Sequence, residues 1–189
     1  SDKLTEAEAK IAELEVEAVE AMIESLPEDP TLEDREVIEK AWTSYNALTE
    51  EQQESVGNIA KLIKVEEKIR VEIVKAMIES LPSDEDMTLE DEGAVEEARE
   101  AYDALTEEQK ALVSEEHVDK LEAAEERIGE LIKVETVKDM IDVLPEADEL
   151  TLEDEDAVKE ARAAYDALTE GQKALVTNLD KLTAAEVKM

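Results

Sequence analysis

The sequence predicts an all-α chain, a tandem array of three-helix bundles joined by shared continuous helices into a spectrin-like rod. Three observations predict it. Apolar residues recur at spacings of three and four along most of the length, which is the pattern of a helix with one buried face. Glycine and proline are scarce, four of each in 189 residues, so few breaks interrupt those faces. One phrase is also written three times, as SYNALTEEQQESV from Ser44, AYDALTEEQKALV from Ala101 and AYDALTEGQKALV from Ala164.

Composition narrows the functional classes. The chain carries 55 acidic and 20 basic residues, a net charge of −35. Charge of that sign repels phosphate backbones and anionic membrane surfaces, which argues against a nucleic-acid partner. The same excess occurs in disordered chains, but 42% hydrophobic residues at regular spacing supply enough surface for cores. There is no cysteine, hence no disulfide or thiolate chemistry. No stretch approaches the roughly 18 consecutive apolar residues of a membrane span, so membrane insertion is not expected. Ser1–Lys10 lacks a basic start followed by an apolar run, which places any export signal or wall anchor outside these residues.

The period emerges from four segments that align without gaps: KLTEAEAKI from Lys3, KLIKVEEKI from Lys61, KLEAAEERI from Lys120 and KLTAAEVKM from Lys181. Their leucines are Leu4, Leu62, Leu121 and Leu182, giving steps of 58, 59 and 61. The chain thus divides into the end of a preceding repeat's last helix over 1–11 and three repeats over 12–69, 70–128 and 129–189.

Each repeat uses its elements in one order. The first helix ends in MIESLP, MIESLP or MIDVLP, and an acidic loop follows. TLED then opens a second helix, with Thr31, Thr88 and Thr151 as N-caps and acidic residues just inside, at the positive end of the dipole. Ile38, Ala41, Tyr45 and Leu48 share one face of that helix, as do Val95, Ala98, Tyr102 and Leu105, and Val158, Ala161, Tyr165 and Leu168. The tyrosines are therefore expected at the rim of a core.

The repeated phrase reads as a corner. Thr49, Thr106 and Thr169 stand three residues before Gln52, Gln109 and Gln172, the spacing of a capping box that starts a short new helix. From each KL segment a third helix continues with no proline into the first helix of the next repeat. The spans Ile11–Leu26 and Ile128–Leu144 are longer than Ile69–Leu81 by three and four residues, about one helical turn. Gly129 interrupts Ile128–Leu144 and is the expected hinge, at roughly 1 kcal/mol against alanine.

Candidate sites are few. With no cysteine, one histidine and no glycine-rich phosphate loop, catalytic groups have little to converge on, and no enzyme, cofactor or metal site is expected. His117 lies where the second repeat is longer, with no evident counterpart in the others, and reads as a loop or helix-start residue. The acidic loops Pro82–Glu92 and Pro145–Asp156 lack the central glycine and terminal glutamate of an EF-hand, and capping accounts for Glu90, Asp91, Glu153 and Asp154. Trp42 is the candidate partner contact. Its equivalents are Arg99 and Arg162, and tryptophan is enriched at binding hot spots, although a ring that merely covers the end of the core is the preferred reading.

The ordered set LP, TLED, YDALT-x-x-QK and L-x-x-AE resembles the small helical repeats found in tandem in secreted and wall-anchored proteins of Gram-positive bacteria, clostridial ones in particular. The first repeat departs from it with Asn46 and Gln53 in place of Asp and Lys. The resemblance implies an extracellular, cell-surface or wall-associated location and a non-enzymatic stalk or spacer, present as a monomeric rod. The alternative it implies is an array that binds a host extracellular protein such as immunoglobulin, where repetition gives avidity.

Overall fold

The computed structural model describes residues 2–188, with side chains from Leu4 onward. Among these the chain is all-helical, without a strand. It divides into two compact units. The first runs through Ser80 and includes Ala98–Val118, and the second comprises Leu81–Glu97 and the chain from Asp119 on. Residues 12–69 therefore lie wholly in the first unit and 129–189 in the second, while 70–128 are divided between them.

In the first unit, α1 (Asp2–Glu24), α2 (Arg35–Asn46) and α4 (Ile59–Ser80) pack on one another, with the short α3 (Glu50–Ser55) between α2 and α4 in sequence. Their apolar faces meet in a core of Val19, Ile23, Leu26, Ile38, Ala41, Val56, Leu62, Val65 and Ile69. Ile23, Ala41 and Leu62 are fully buried. Each buried leucine or isoleucine contributes roughly 2–3 kcal/mol through water exclusion. Alanine at position 41 lets α2 approach closely, so Ala41→Leu is an overpacking change expected to cost about 1–3 kcal/mol.

The helices α5 (Glu92–Asp103), α6 (Glu107–Lys110) and α7 (Glu115–Asp142) follow. In the second unit the end of α7 packs with α8 (Glu155–Asp166) and α10 (Leu179–Lys188), with α9 (Glu170–Lys173) as the short link. The core there contains Val134, Val137, Ile141, Leu144, Val158, Ala161, Leu168, Val176, Leu182 and Ala185. α4 and α7 are each one unbroken helix. α7 runs through Gly129 without interruption, and that glycine's φ is not positive, so its extra freedom is not used as a break.

Helix ends follow local chemistry. Pro27, Pro82 and Pro145 come after α1, α4 and α7, and the residue before a proline is pushed away from helical geometry. Thr31, Thr88 and Thr151 are N-caps as expected, but the element that each opens is a 3-10 turn. Leu32–Asp34, Leu89–Asp91 and Leu152–Asp154 form 3-10 turns before the α-helices begin. Asp34, Asp91 and Asp154 accept both the backbone N–H and the hydroxyl of Thr31, Thr88 and Thr151 at 2.7–3.0 Å. The threonine hydroxyl donates to its carboxylate because an ionised acceptor forms the stronger bond. At Asp154 this contact, led by the Thr151 N–H, holds the carboxyl below its usual value.

Candidate functional site

The corners are where sequence recurrence and side-chain chemistry coincide. The Thr49, Thr106 and Thr169 hydroxyls accept the N–H of Gln52, Gln109 and Gln172 at 3.3–3.4 Å, and each glutamine Oε1 accepts the threonine N–H at 2.8–2.9 Å. Two of the glutamines have a second task. Gln52 Nε2 donates to the carbonyl of Ala12 at 3.3 Å, and Gln109 Nε2 to that of Glu67 at 3.2 Å. The amide thus starts the short helix and ties it to the long helix at its side.

The tyrosine at each corner is half-buried, and its neighbours differ. Tyr102 has the Arg99 guanidinium at 5.5 Å and the Lys110 ammonium at 5.6 Å from its ring centre. Tyr165 has Arg162 at 5.3 Å and Lys173 at 5.8 Å. Arg162 also grips Glu186 through Nε and Nη2. That guanidinium holds the Glu186 carboxyl below the usual carboxylate value, against a smaller opposing effect of burial. At the first corner Trp42 stands in place of the arginine, half-buried against the core and edge-on to Tyr45 at 5.7 Å and 88°. Its indole N–H is buried without a hydrogen-bond acceptor. Gln53, in place of the lysine, donates to the carbonyls of Tyr45 and Leu48, both at 3.2 Å.

The end of each long helix is tied to the start of the next. Lys61 and Lys181 donate to the last carbonyls of α1 and α7, Glu24 at 2.6 Å and Asp142 at 2.8 Å, where a cation suits the negative end of the dipole. Asn58 donates to the carbonyl of Glu20 at 2.8 Å, and Asn178 to that of Lys138 at 2.9 Å and to the carboxylate of Asp142 at 2.8 Å. His117 does have a counterpart. Counted back three residues from the lysine of its KL pair, it occupies the position of Asn58 and Asn178. Its Nε2 lies 3.0 Å from Glu79 and its Nδ1 2.6 Å from Ser114. With the proton on Nε2 both contacts are satisfied, so the two added residues lengthen the approach while the tie itself is kept.

A furrow of about 530 Å³ runs along α1 and α3, floored by Ala9, Ala12 and Val16 and edged by Glu13, Glu17 and Glu51. Among the described residues no group of three or more histidine, aspartate or glutamate side chains is placed to hold a metal ion. The loop carboxylates have local uses. Asp86 accepts from Ser83 at 2.6 Å, and Asp91 and Asp154 accept from their threonines. No described helix is long and apolar enough to cross a membrane.

Comparison with protein-family models, with curated proteins and with solved structures gave no match. The interactions that sequence reasoning missed are long-range polar ones. Their only signal was the lysine that recurs with each aligned leucine, at Lys61, Lys120 and Lys181.

Proposed function

We propose that this chain is a non-enzymatic stalk or spacer of an extracellular bacterial surface protein, built from three tandem three-helix repeats that share their long helices in a monomeric rod. The observation that carries this reading is the corner. Its capping box is repeated with the same bonds at Thr49, Thr106 and Thr169, while the exposed face of the adjoining helix changes freely. Glu39, Glu96 and Lys159 occupy one such exposed position, and Thr43, Glu100 and Ala163 another. A spacer needs identical frames and tolerates drifting surfaces, whereas a binding array keeps a patch. The unbroken helicity of α4 and α7 supports shared helices.

Small-angle scattering tests the rod. A single compact domain of 189 residues has a radius of gyration of about 16 Å, and the spacer is expected well above it. A value near that figure would sink the reading. The second reading is an array for a host extracellular protein such as immunoglobulin, and Trp42 is the observation in its favour, an aromatic with an unpartnered buried N–H where the other repeats carry arginine. Capture from serum, repeated with Trp42→Arg, separates the two. The spacer is expected to retain no ligand that depends on Trp42.

A further inference from the structure

The start of α1 carries an apolar stripe that nothing in the described structure covers. Leu4 and Ile11 are 66% and 57% exposed, and Ala7 between them is exposed as well. Counted from the KL pair, these positions correspond to Leu62, Val65 and Ile69 on α4, and to Leu182 and Ala185 on α10. All five of those residues are buried. On α4 the stripe is packed in one core with Ile38 and Ala41 of α2, and on α10 with Val158 and Ala161 of α8. In both cases the covering element is a 12-residue helix of one sequence type.

Two polar positions agree with the apolar ones. Glu8 has the register of Glu186, the carboxylate gripped by Arg162 of the covering helix. Lys10 has the register of Lys68 and Arg127. Those two donate to loop carbonyls, Lys68 to Glu28 at 2.6 Å and Arg127 to Asp84 at 3.1 Å. Lys10 instead turns to Glu13 on its own helix, at 2.6 Å.

We infer that residues 4–11 of α1 form an open docking face for the helix pair of a further repeat of this class. The inference rests on the repeat reading above. The apolar side of the incoming second helix, a β-branched residue followed three positions later by alanine, covers Leu4, Ala7 and Ile11. The arginine after that alanine meets Glu8, and the loop between the incoming helices supplies a carbonyl to Lys10. Register in five positions, apolar and charged together, favours this occupant over a second copy of the chain, in which the equivalent helix α8 is already packed against α10.

The test joins a second copy of residues 129–180 directly to Lys3 of the full chain, which reproduces the register of α10. Hydrogen exchange read by mass spectrometry is expected to show amides 7–11 slowed at least tenfold against the parent, with the added segment protected. The same fusion carrying Leu4→Glu and Ile11→Glu is expected to return those amides to the parent rate. Three results would overturn the inference: an added segment that stays unprotected, one that folds while amides 7–11 exchange as in the parent, or a parent that already forms dimers protected over 7–11. The spacer reading is judged separately by scattering and serum capture, and it can fail while this face still docks its helices.

Discussion

At the first corner an indole meets the Tyr45 ring edge-on, whereas at the last corner an arginine and a lysine stand over the Tyr165 ring and the arginine also grips Glu186. The register equivalent of Glu186 in the first repeat is Glu66, which pairs with Arg70 one turn along its own helix at 2.7 Å. The two solutions are of the same order, the last corner's being the larger by about 1 kcal/mol. An aromatic pair adds about 0.5–1.5 kcal/mol beyond its buried area. A cation over a ring adds roughly 0.5–1 kcal/mol at an exposed site, and a half-exposed ion pair about as much. What both corners share is the threonine–glutamine box, and that shared backbone chemistry sets the geometry. On the proposed spacer reading, the ring's neighbours can be exchanged around that box.

The largest effect expected at either corner comes from the tyrosine. Tyr165→Ala removes a half-buried ring from the rim of the core and two cations lose their partner, so a loss of about 2–3 kcal/mol is expected in urea unfolding, below the range for deleting a fully buried aromatic. Tyr45→Ala is expected to match it within about 1 kcal/mol if the two solutions are equivalent. Parent-like melting of either variant would show that the ring is not part of the core.

The next effect addresses the shared part. Gln109→Ala leaves the Thr106 N–H and the Glu67 carbonyl without their partner, and a loss of about 1–2 kcal/mol is expected, the usual range for a helix cap or a buried hydrogen bond. A change no larger than that of an exposed surface residue would break the argument that the box sets the corner.

The smallest effect separates the corners by charge. Because Arg162 lowers the Glu186 pKa in the folded chain, this pair contributes stability above the ordinary carboxylate value of 4.5 and loses it as pH falls through the lowered folded value. Carboxyl-carbon NMR is expected to place the Glu186 midpoint below 4.5 in the parent and to return it toward 4.5 in Arg162→Met. An unchanged midpoint in that variant would remove the ion pair from the account.

The helical framework was legible because it rests on short-range periodicity. Ile38, Ala41, Val95, Ala98, Val158 and Ala161 were predicted on one face and are buried, and the Thr–Gln spacing predicted boxes that form at all three corners. What escaped is long-range pairing. The Arg162–Glu186 pair spans 24 residues and the Lys61 bond to Glu24 spans 37, distances at which no local pattern announces a partner. The TLED threonines do cap, but they cap a 3-10 turn and their hydroxyls donate. A threonine at a helix start can accept or donate, and only the position of Asp34, Asp91 and Asp154 decides which. His117 was misread because an insertion of two residues hid its alignment with Asn58 and Asn178.

The central claim, that the corners are interchangeable frames, is tested most directly by rebuilding the first in the chemistry of the last. The double variant Trp42→Arg, Gln53→Lys is measured by circular dichroism in urea beside the parent. The arginine gains the Tyr45 ring and the Glu66 carboxylate as partners, and the unpartnered indole N–H is removed. Unchanged helicity and a stability within about 1 kcal/mol of the parent are expected, since equivalent interactions replace one another. A loss above about 3 kcal/mol, the scale of a disrupted core, would contradict the claim and make Trp42 specific to its site.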